Sequence, residues 1–322
     1  MSRAPGKPVA LRLRLSWLRE TPVSTACRIE ASVPLVSFHP LGSSRKASLL
    51  KLFHHRSLSA GEVEYEKSRL YTAATSEFVI KAKCFIIQDM RVHALHEWEV
   101  SVARAREIQL SLAKRVVTEN EVINPRLVAG IDISSSDAQG VARGAVVVLD
   151  YPELSIVEVE VAQGKITLPY IPGLLSFRES PLILAACEKL YNIPDLILID
   201  GQGIAHPRRV GLASHVGLFL DLPTIGCAKS ILCGQHRPVG KEAGSHAELL
   251  DKEELIGAAL RTKSGVRPIY VSVGHKIDLA SALQWVIKCC RGYRLPEPTR
   301  LAHLAARGML TSEPSCQGKL VD

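Results

Sequence analysis

Three carboxylates stand at positions that suit chemistry. Asp132 lies inside the apolar run LVAGIDI at 127–133, Asp200 ends the run DLILID at 195–200, and Glu179 follows a loop rich in proline and glycine. A buried carboxylate is costly unless a partner compensates its charge. Hard cations such as Mg²⁺ take oxygen ligands, and paired metal sites hold both the attacking and the leaving oxygen of a phosphodiester. The three carboxylates would therefore suit one or two Mg²⁺ ions.

Each carboxylate also has a plainer interpretation. Asp132 could face solvent on the polar side of an alternating strand, and Glu179 could be only a favourable charge at the start of a helix. Asp200 favours the chemical interpretation, because open α/β sheets place their ligands at the carboxyl ends of strands. Gly201 follows directly and allows the backbone to approach a bound group closely.

Further polar residues follow the predicted strands. Arg208 and Arg209 come after the Asp200 loop and could hold phosphates with paired hydrogen bonds, although a solvated helix start is the alternative. Lys229 follows the strand PTIGCA and could meet a phosphate or a water. His275 follows the strand IYVSV, and we expect it to point toward the same end of the sheet as Asp200. A lone histidine at a strand end is nevertheless more often structural.

Strand and helix patterns surround these side chains. Apolar residues recur at helical spacing between residue 93 and Asn120 and predict an amphipathic helix: Leu95, Trp98, Val102, Ala105, Ile108, Leu112 and Val116. Strands are predicted at 127–133, 141–149, 155–162, 195–200, 223–227 and 267–273, and helices at 178–191, 208–220 and 278–291. A meander followed by alternating strands and helices predicts an α/β domain with a mixed sheet flanked by helices.

The first 89 residues differ from the rest. They carry a net charge of +7 out of the +8 of the whole chain, so the pI says little about the remaining residues. The segment is rich in Arg and Ser and resembles a transit peptide, but we favour a disordered tail or a start-site artefact, with Met90 as the natural start. Residues 84–88 could form a strand. We divide the chain into an extension at 1–89, a catalytic domain at 90–308 and a tail at 309–322.

The eight cysteines include no CxxC pair, and several lie in apolar runs, which is typical of a reduced, cytoplasmic protein. Cys227, Cys233 and His236 could be proposed as a zinc site. Their spacing is not a standard one and a fourth ligand is missing, so we do not favour it. No run of about 18 apolar residues occurs, and the sequence predicts no membrane span.

Six blocks of the sequence resemble, in order, the motifs of the endonuclease V (deoxyinosine 3′ endonuclease) family of bacterial type. They lie between about 92 and 305 and read LVAGIDIS, LPYIPGLLSFRE, LILIDGQGIAHPRRVGLASHVG, PTIGCAKS, SVGHKIDLASALQWV and YRLPEPTRLAH. The resemblance implies a ribonuclease H-like fold. It also implies cleavage of the second phosphodiester bond 3′ to deoxyinosine, leaving 3′-hydroxyl and 5′-phosphate ends, in the repair of deaminated adenine.

The resemblance also implies roles for single residues. Asp132, Glu179 and Asp200 would bind Mg²⁺, for which Mn²⁺ could substitute, and His275 would be the associated active-site histidine. Contacts to the DNA backbone or the scissile phosphate are expected from His206, Arg208 and Lys229. The wedge that parts the strands at the lesion would consist of Pro169, Tyr170, Ile171 and Pro172. The pocket that receives hypoxanthine would be lined by Gly173, Leu175, Gly201, Gly211 and Leu212.

Two alternatives remain open at this point. The domain could act mainly on inosine-containing RNA, because the motifs do not reveal whether deoxyribose or ribose stands at the cut. It could also be a nucleic-acid binder that does not cleave, which would require the loss of a carboxylate, and all three are present. We expect a monomer that binds inosine-containing DNA, either duplex or single-stranded, and no membrane.

Overall fold

The computed structural model describes residues 14–17, 27–30 and 90–310. It contains two compact units, of which the first holds strand β1 (Arg14–Trp17) paired antiparallel with β2 (Cys27–Glu30). The predicted strand at 84–88 lies outside the described residues, as do most of the extension and residues 311–322. The proposed start at Met90 stays a prediction.

The described part of the second unit is built on a nine-stranded sheet with the order β5-β4-β3-β6-β7-β11-β10-β9-β8. The strands are β3 (Leu127–Ile133), β4 (Val141–Asp150), β5 (Ile156–Lys165), β6 (Leu196–Ile199), β7 (Thr224–Ala228), β8 (Gln235–His236), β9 (His246–Asp251), β10 (Glu254–Leu260) and β11 (Ile269–His275). The helices are α1 (Val102–Ala113), α2 (Leu175–Cys187), α3 (Leu212–Leu220), α4 (Leu279–Lys288) and α5 (Glu297–Ala306). The prediction of an α/β domain with a mixed sheet flanked by helices is confirmed.

Strand directions divide the sheet into two parts. β3, β4 and β5 form the predicted antiparallel meander, and β3, β6 and β7 run parallel. β11 pairs antiparallel with β7 and begins the second antiparallel part of the sheet. The central strands are buried on both faces, which explains their continuous apolar runs.

Helices cover both faces of the sheet. On one face, α2 and α3 pack on alternate residues of the central strands such as Ile131 and Ile199. On the other face, α4 and α5 pack on Val128, Leu198 and Val271. None of the helices in the described part of the chain has the length and apolar character that crossing a bilayer requires.

The predicted helix at 93–120 is wrong in its extent. The helix α1 begins after Ser101, whose side chain accepts a hydrogen bond from the Arg104 amide at 3.2 Å, and it ends at Ala113. Leu95 and Trp98 precede the helix but still pack into its apolar cluster. The apolar spacing therefore predicted the packing of Leu95 and Trp98 correctly, but it predicted helical structure for them incorrectly.

Helix α5 and strands β8, β9 and β10 were absent from the predicted elements. Pro296 and Pro298 make the start of α5 look like a loop, yet a proline in the first helical turn loses no hydrogen bond there. The backbone of α5 lies directly on β3 at Gly130, where a Cβ would stand 1.9 Å from the Pro298 carbonyl oxygen. This close approach determines where the later residues of α5 meet the sheet.

Candidate active site

Asp132 and Asp200 lie side by side where two parallel strands end. Ile131 of β3 is in register with Ile199 of β6, and the Asp200 amide donates a 3.0 Å hydrogen bond to the Ile131 carbonyl. The two carboxylates follow directly, and their side chains are only 8% and 9% exposed. The parallel pairing thus concentrates negative charge in a place that water reaches poorly.

His303 joins these carboxylates from helix α5. Its Nδ1 lies 2.7 Å from Asp132 Oδ2, and ligand atoms of His303, Asp132 and Asp200 all lie within 4.8 Å of one another. His303 is not among the site residues predicted from the sequence, although it ends the block YRLPEPTRLAH. That block, the last of the ordered motifs, was the signal that could have identified it.

Glu179 lies on α2 close to this group, although it is not one of the three clustered residues. Burial raises the pKa of Glu179 to about 7; Arg178 opposes this rise, and the charges of Asp132 and Asp200 add to it. Burial and the charge of Asp200 also raise the pKa of Asp132 to about 6, against the opposing effects of His303 and Lys229. The carboxylates are therefore near enough to repel one another.

The donors of this group fit a hard divalent cation. Asp200 Oδ2 is buried and forms an ion pair with the Lys229 ammonium, and no other described residue donates a hydrogen bond to it. The carboxylate oxygens outnumber the positive groups that pair with them, and one imidazole lies beside them. Such a set of donors is suited to Mg²⁺ or Mn²⁺. Among the described residues, no other group of three acidic, His or Cys side chains meets the same distance criterion. Cys227, Cys233 and His236 therefore do not form the zinc site considered above.

His275 does not lie with the carboxylates. Because β11 runs antiparallel to β7, His275 pairs with Thr224 at the start of β7. It therefore lies at the opposite end of the central strands from Asp200. The expected direction of its strand is wrong. The ring instead accepts a 3.2 Å hydrogen bond from the Val117 amide and lies 3.6 Å from Asp221, and burial lowers its pKa. In this position His275 links the segment after α1 to the sheet.

A cavity of about 370 Å³ adjoins Asp200. All five residues predicted for the base pocket line it, namely Gly173, Leu175, Gly201, Gly211 and Leu212. Tyr170, His206 and Lys229 line it as well. A Cβ added at Gly201 would stand 3.0 Å from Leu212 Cβ, so Leu212 would have to shift slightly to admit a side chain there. The predicted pocket residues thus surround one space that opens beside the carboxylates.

The predicted wedge projects at the rim of this cavity. Tyr170 is 64% exposed and Pro169 and Pro172 are exposed, whereas Ile171 packs against the apolar cluster of α1. The two prolines fix the backbone and remove amide donors, so the segment is suited to a rigid projection. Ile171 therefore anchors the loop, and Tyr170 forms its tip.

Three donors hold the base of the wedge through one carbonyl oxygen. Gly173 O accepts hydrogen bonds from Gln109 Nε2 at 3.1 Å, His206 Nε2 at 3.0 Å and Arg208 Nη2 at 2.6 Å. Gly173 has φ +78°, and a Cβ there would stand 2.6 Å from Arg208 Nη2. Only glycine therefore fits this turn without displacing the residues that hold it.

His206 and Arg208 consequently have internal partners. The Arg208 amide donates to His206 Nδ1 at 3.1 Å, so His206 Nε2 carries the proton that it donates to Gly173. Burial and the charge of Arg208 lower the pKa of His206 to about 4, and the ring is neutral near pH 7. Both residues brace the wedge, and Lys229 pairs with Asp200, so none of the three is a simple surface cation.

Comparisons with known proteins agree with this geometry. The family model described as Endonuclease V matches residues 110–304. The chain is 51% identical over 222 residues to the Endonuclease V of Dehalococcoides mccartyi. The aligned region covers 69% of this chain and 100% of the relative. The crystal structure of Endonuclease V from Streptomyces avermitilis matches with a TM-score of 0.63 at 42% identity, covering 69% of this chain and 97% of that one.

A third match includes nucleic acid. The structure of Endonuclease V from Ciona intestinalis, in complex with a DNA containing an inosine followed by a ribo-adenosine, matches with a TM-score of 0.55 at 29% identity. It covers 64% of this chain and 96% of that one. The likeness to these solved structures confirms the ribonuclease H-like fold.

Proposed function

Because the chain belongs to the endonuclease V family of nucleases, we propose that it cuts DNA at the second phosphodiester bond 3′ to deoxyinosine, leaving 3′-hydroxyl and 5′-phosphate ends. One observation carries the proposal. Asp200 belongs both to the clustered carboxylates and to the lining of the cavity that contains the predicted base pocket. A base held in that cavity would leave the adjoining phosphodiesters beside the carboxylates.

Asp132, Asp200 and Glu179, with His303 beside them, would hold a divalent cation, and Mg²⁺ is the ion proposed. When bound, such a cation supplies stabilisation for the negative charge that develops on the phosphate. His303 keeps Asp132 oriented through its Nδ1 contact, and Lys229 does the same for Asp200. Burial of the carboxylates limits competition from water.

The cavity would read the base by shape and backbone hydrogen bonding. Taking a base out of the stack costs a few kcal/mol, and the cost is smallest at a mispair. Gly201 and Gly211 leave space beside the backbone, and Leu175 and Leu212 provide apolar walls. Such a pocket would accept hypoxanthine and exclude bases that carry an exocyclic amine without a partner.

Three oligonucleotides test the proposed substrate. They carry deoxyinosine, deoxyadenosine at the same site, or deoxyinosine followed by one ribonucleotide, the arrangement in the DNA bound by the Ciona relative. We expect metal-dependent cleavage at the second bond 3′ to inosine and none of the adenosine control. Cleavage confined to the strand with the ribonucleotide would instead assign the enzyme to RNA, and binding without cleavage in Mg²⁺ or Mn²⁺ would contradict the proposal.

Metal binding is expected to strengthen as the pH rises. The pKa values of Asp132 and Glu179 are raised to about 6 and about 7, so protons compete with the cation below these values. Binding should therefore release protons and level off above about pH 8. The shift in melting temperature caused by Mg²⁺, measured at several pH values against the metal-free protein, should grow with pH. An equal shift at pH 5.5 and pH 8, taken as approximate endpoints, would contradict the assignment of these ligands.

Tyr170→Ala is expected to weaken binding to inosine-containing duplex and to slow its cleavage, with the melting temperature almost unchanged. An aromatic ring stacked on a base contributes about 1–3 kcal/mol, which corresponds to roughly 5- to 150-fold in affinity. Tyr191→Ala is the matched control, because Tyr191 is similarly exposed at 68% but follows α2 at the far edge of the sheet. A large drop in melting temperature, or unchanged binding, would show that Tyr170 only packs the loop.

A further inference from the structure

Helix α1 presents a basic ridge next to the wedge, and we infer that this ridge binds the phosphate backbone of the DNA that flanks the lesion. The ridge consists of Arg106, Leu110 and Lys114, which recur at every fourth residue and therefore lie along one side of the helix. All three are exposed, and Leu110 is 55% exposed. This surface extends the proposed function to the strand beyond the cleavage site.

The cations of the ridge are not neutralised by the helix itself. Glu107, the acidic residue within α1, lies beside the ridge and pairs with Arg104 at 3.0 Å rather than with Arg106 or Lys114. Among the ion pairs between described residues, none includes Arg106 or Lys114.

The buried side of α1 connects the ridge to the base pocket. Gln109 is buried and donates to Gly173 O, and its Oε1 accepts a 2.6 Å hydrogen bond from Arg208 Nε. Burial lowers the pKa of the Arg208 guanidinium, and the positive charge of Arg106 lowers it further. Arg106 therefore stands near a second arginine at the base of the wedge, and a phosphate between them would relieve their repulsion.

The length of the ridge fits a nucleic-acid strand. Arg106 and Lys114 are separated by about 12 Å along the helix at 1.5 Å per residue. Each strand of duplex DNA carries one phosphate per about 3.4 Å of helix axis, so a ridge aligned with that axis would span the height of about three to four phosphates. Leu110 lies between the two cations, where the apolar faces of sugars would meet it.

The test compares double variants of the full-length protein. Arg106→Ala with Lys114→Ala should raise KM for the inosine duplex several-fold and leave kcat almost unchanged. The slope of log Kd against log salt should fall by about 1.8, which is about 0.9 for each phosphate that the variant no longer neutralises. The charge-conserving pair Arg106→Lys with Lys114→Arg should restore both values.

The matched control removes one arginine and one lysine that lie far from the carboxylates. Arg126 precedes β3, and Lys189 follows α2, so both lie away from Asp132 and Asp200. Arg126→Ala with Lys189→Ala should leave KM and the salt slope unchanged. An equal effect of the two alanine pairs, or a change in kcat alone for the α1 pair, would overturn the assignment of the ridge.

Binding to a duplex without inosine separates this inference from the proposed function on which it rests. Phosphate contacts do not depend on sequence, so the salt slope of this binding should also fall in the α1 variant. Should the wild-type protein fail to cut at inosine while the salt slope of this binding still falls in the α1 variant, the proposed function fails and the ridge stands. Should it cut at inosine while the slopes of wild type and variant agree, the ridge fails alone.

Discussion

Asp132→Asn and Asp200→Asn are each expected to reduce cleavage at inosine by about 10³-fold or more. Loss of one group that stabilises transition-state charge already costs about 10²–10³-fold, and these changes also remove a ligand of the proposed cation. Asparagine keeps the shape of the side chain, so binding of inosine-containing DNA should be retained. Single-turnover rates in saturating Mg²⁺, together with binding measured without metal, provide the comparison.

The stability of the same variants gives an independent readout. Burial and the charge of Asp200 raise the pKa of Asp132, so ionised Asp132 is disfavoured in the metal-free fold. The metal-free Asp132→Asn protein should therefore melt no lower than wild type at pH 8, and Mg²⁺ should no longer raise its melting temperature. A variant that stays responsive to Mg²⁺ and cuts at a rate near wild type would contradict the role of Asp132.

Asp221→Asn is the matched control for both carboxylates. Asp221 lies after α3 near Lys276, with its side chain 58% exposed, at the edge of the sheet away from Asp200. Its backbone is left-handed with φ 53°, a conformation that asparagine adopts readily. Cleavage by this variant should match wild type, which would separate loss of a specific ligand from loss of any acidic residue.

Asp132 and Asp200 can be singled out from the sequence because the signal lies in their immediate neighbours. Asp132 and Asp200 stand in or at the end of apolar runs, and a charge in such a run is conspicuous without any knowledge of the fold. The two carboxylates meet because β3 and β6 run parallel as neighbours in the sheet. The pocket residues came instead from whole motif blocks, because glycines and leucines carry no chemical signal of their own.

The predictions that were wrong or missing depend on contacts between residues far apart in the sequence. Whether His275 reaches Asp200 depends on the direction of β11, which only the pairing of β11 with β7 determines. His303 lies 171 residues after Asp132 in sequence and meets it through the packing of α5 on β3. Spacing within a segment cannot reveal such a contact. The proline-rich start of α5 also concealed the helix that carries it.

The position of His303 depends on Gly130, and Gly130→Ala is accordingly expected to impair both stability and cleavage. An added Cβ would stand 1.9 Å from Pro298 O and 2.1 Å from Pro298 C, and these backbone atoms cannot turn aside as a flexible side chain can. Overpacking in a core costs about 1–3 kcal/mol and sometimes more. The helix must therefore move away from β3 or the strand must distort.

Movement of α5 would carry His303 away from Asp132. We expect Gly130→Ala to lower the melting temperature by several degrees and to weaken the response to Mg²⁺ even under conditions where the protein is fully folded. Gly164→Ala is the matched control, because it makes the same change in a strand but its Cβ would meet only Leu182 Cδ1, the end of a flexible side chain, at 3.2 Å. Equal behaviour of the two variants, or Gly130→Ala with an unaltered Mg²⁺ response, would show that the contact of α5 with β3 does not position His303.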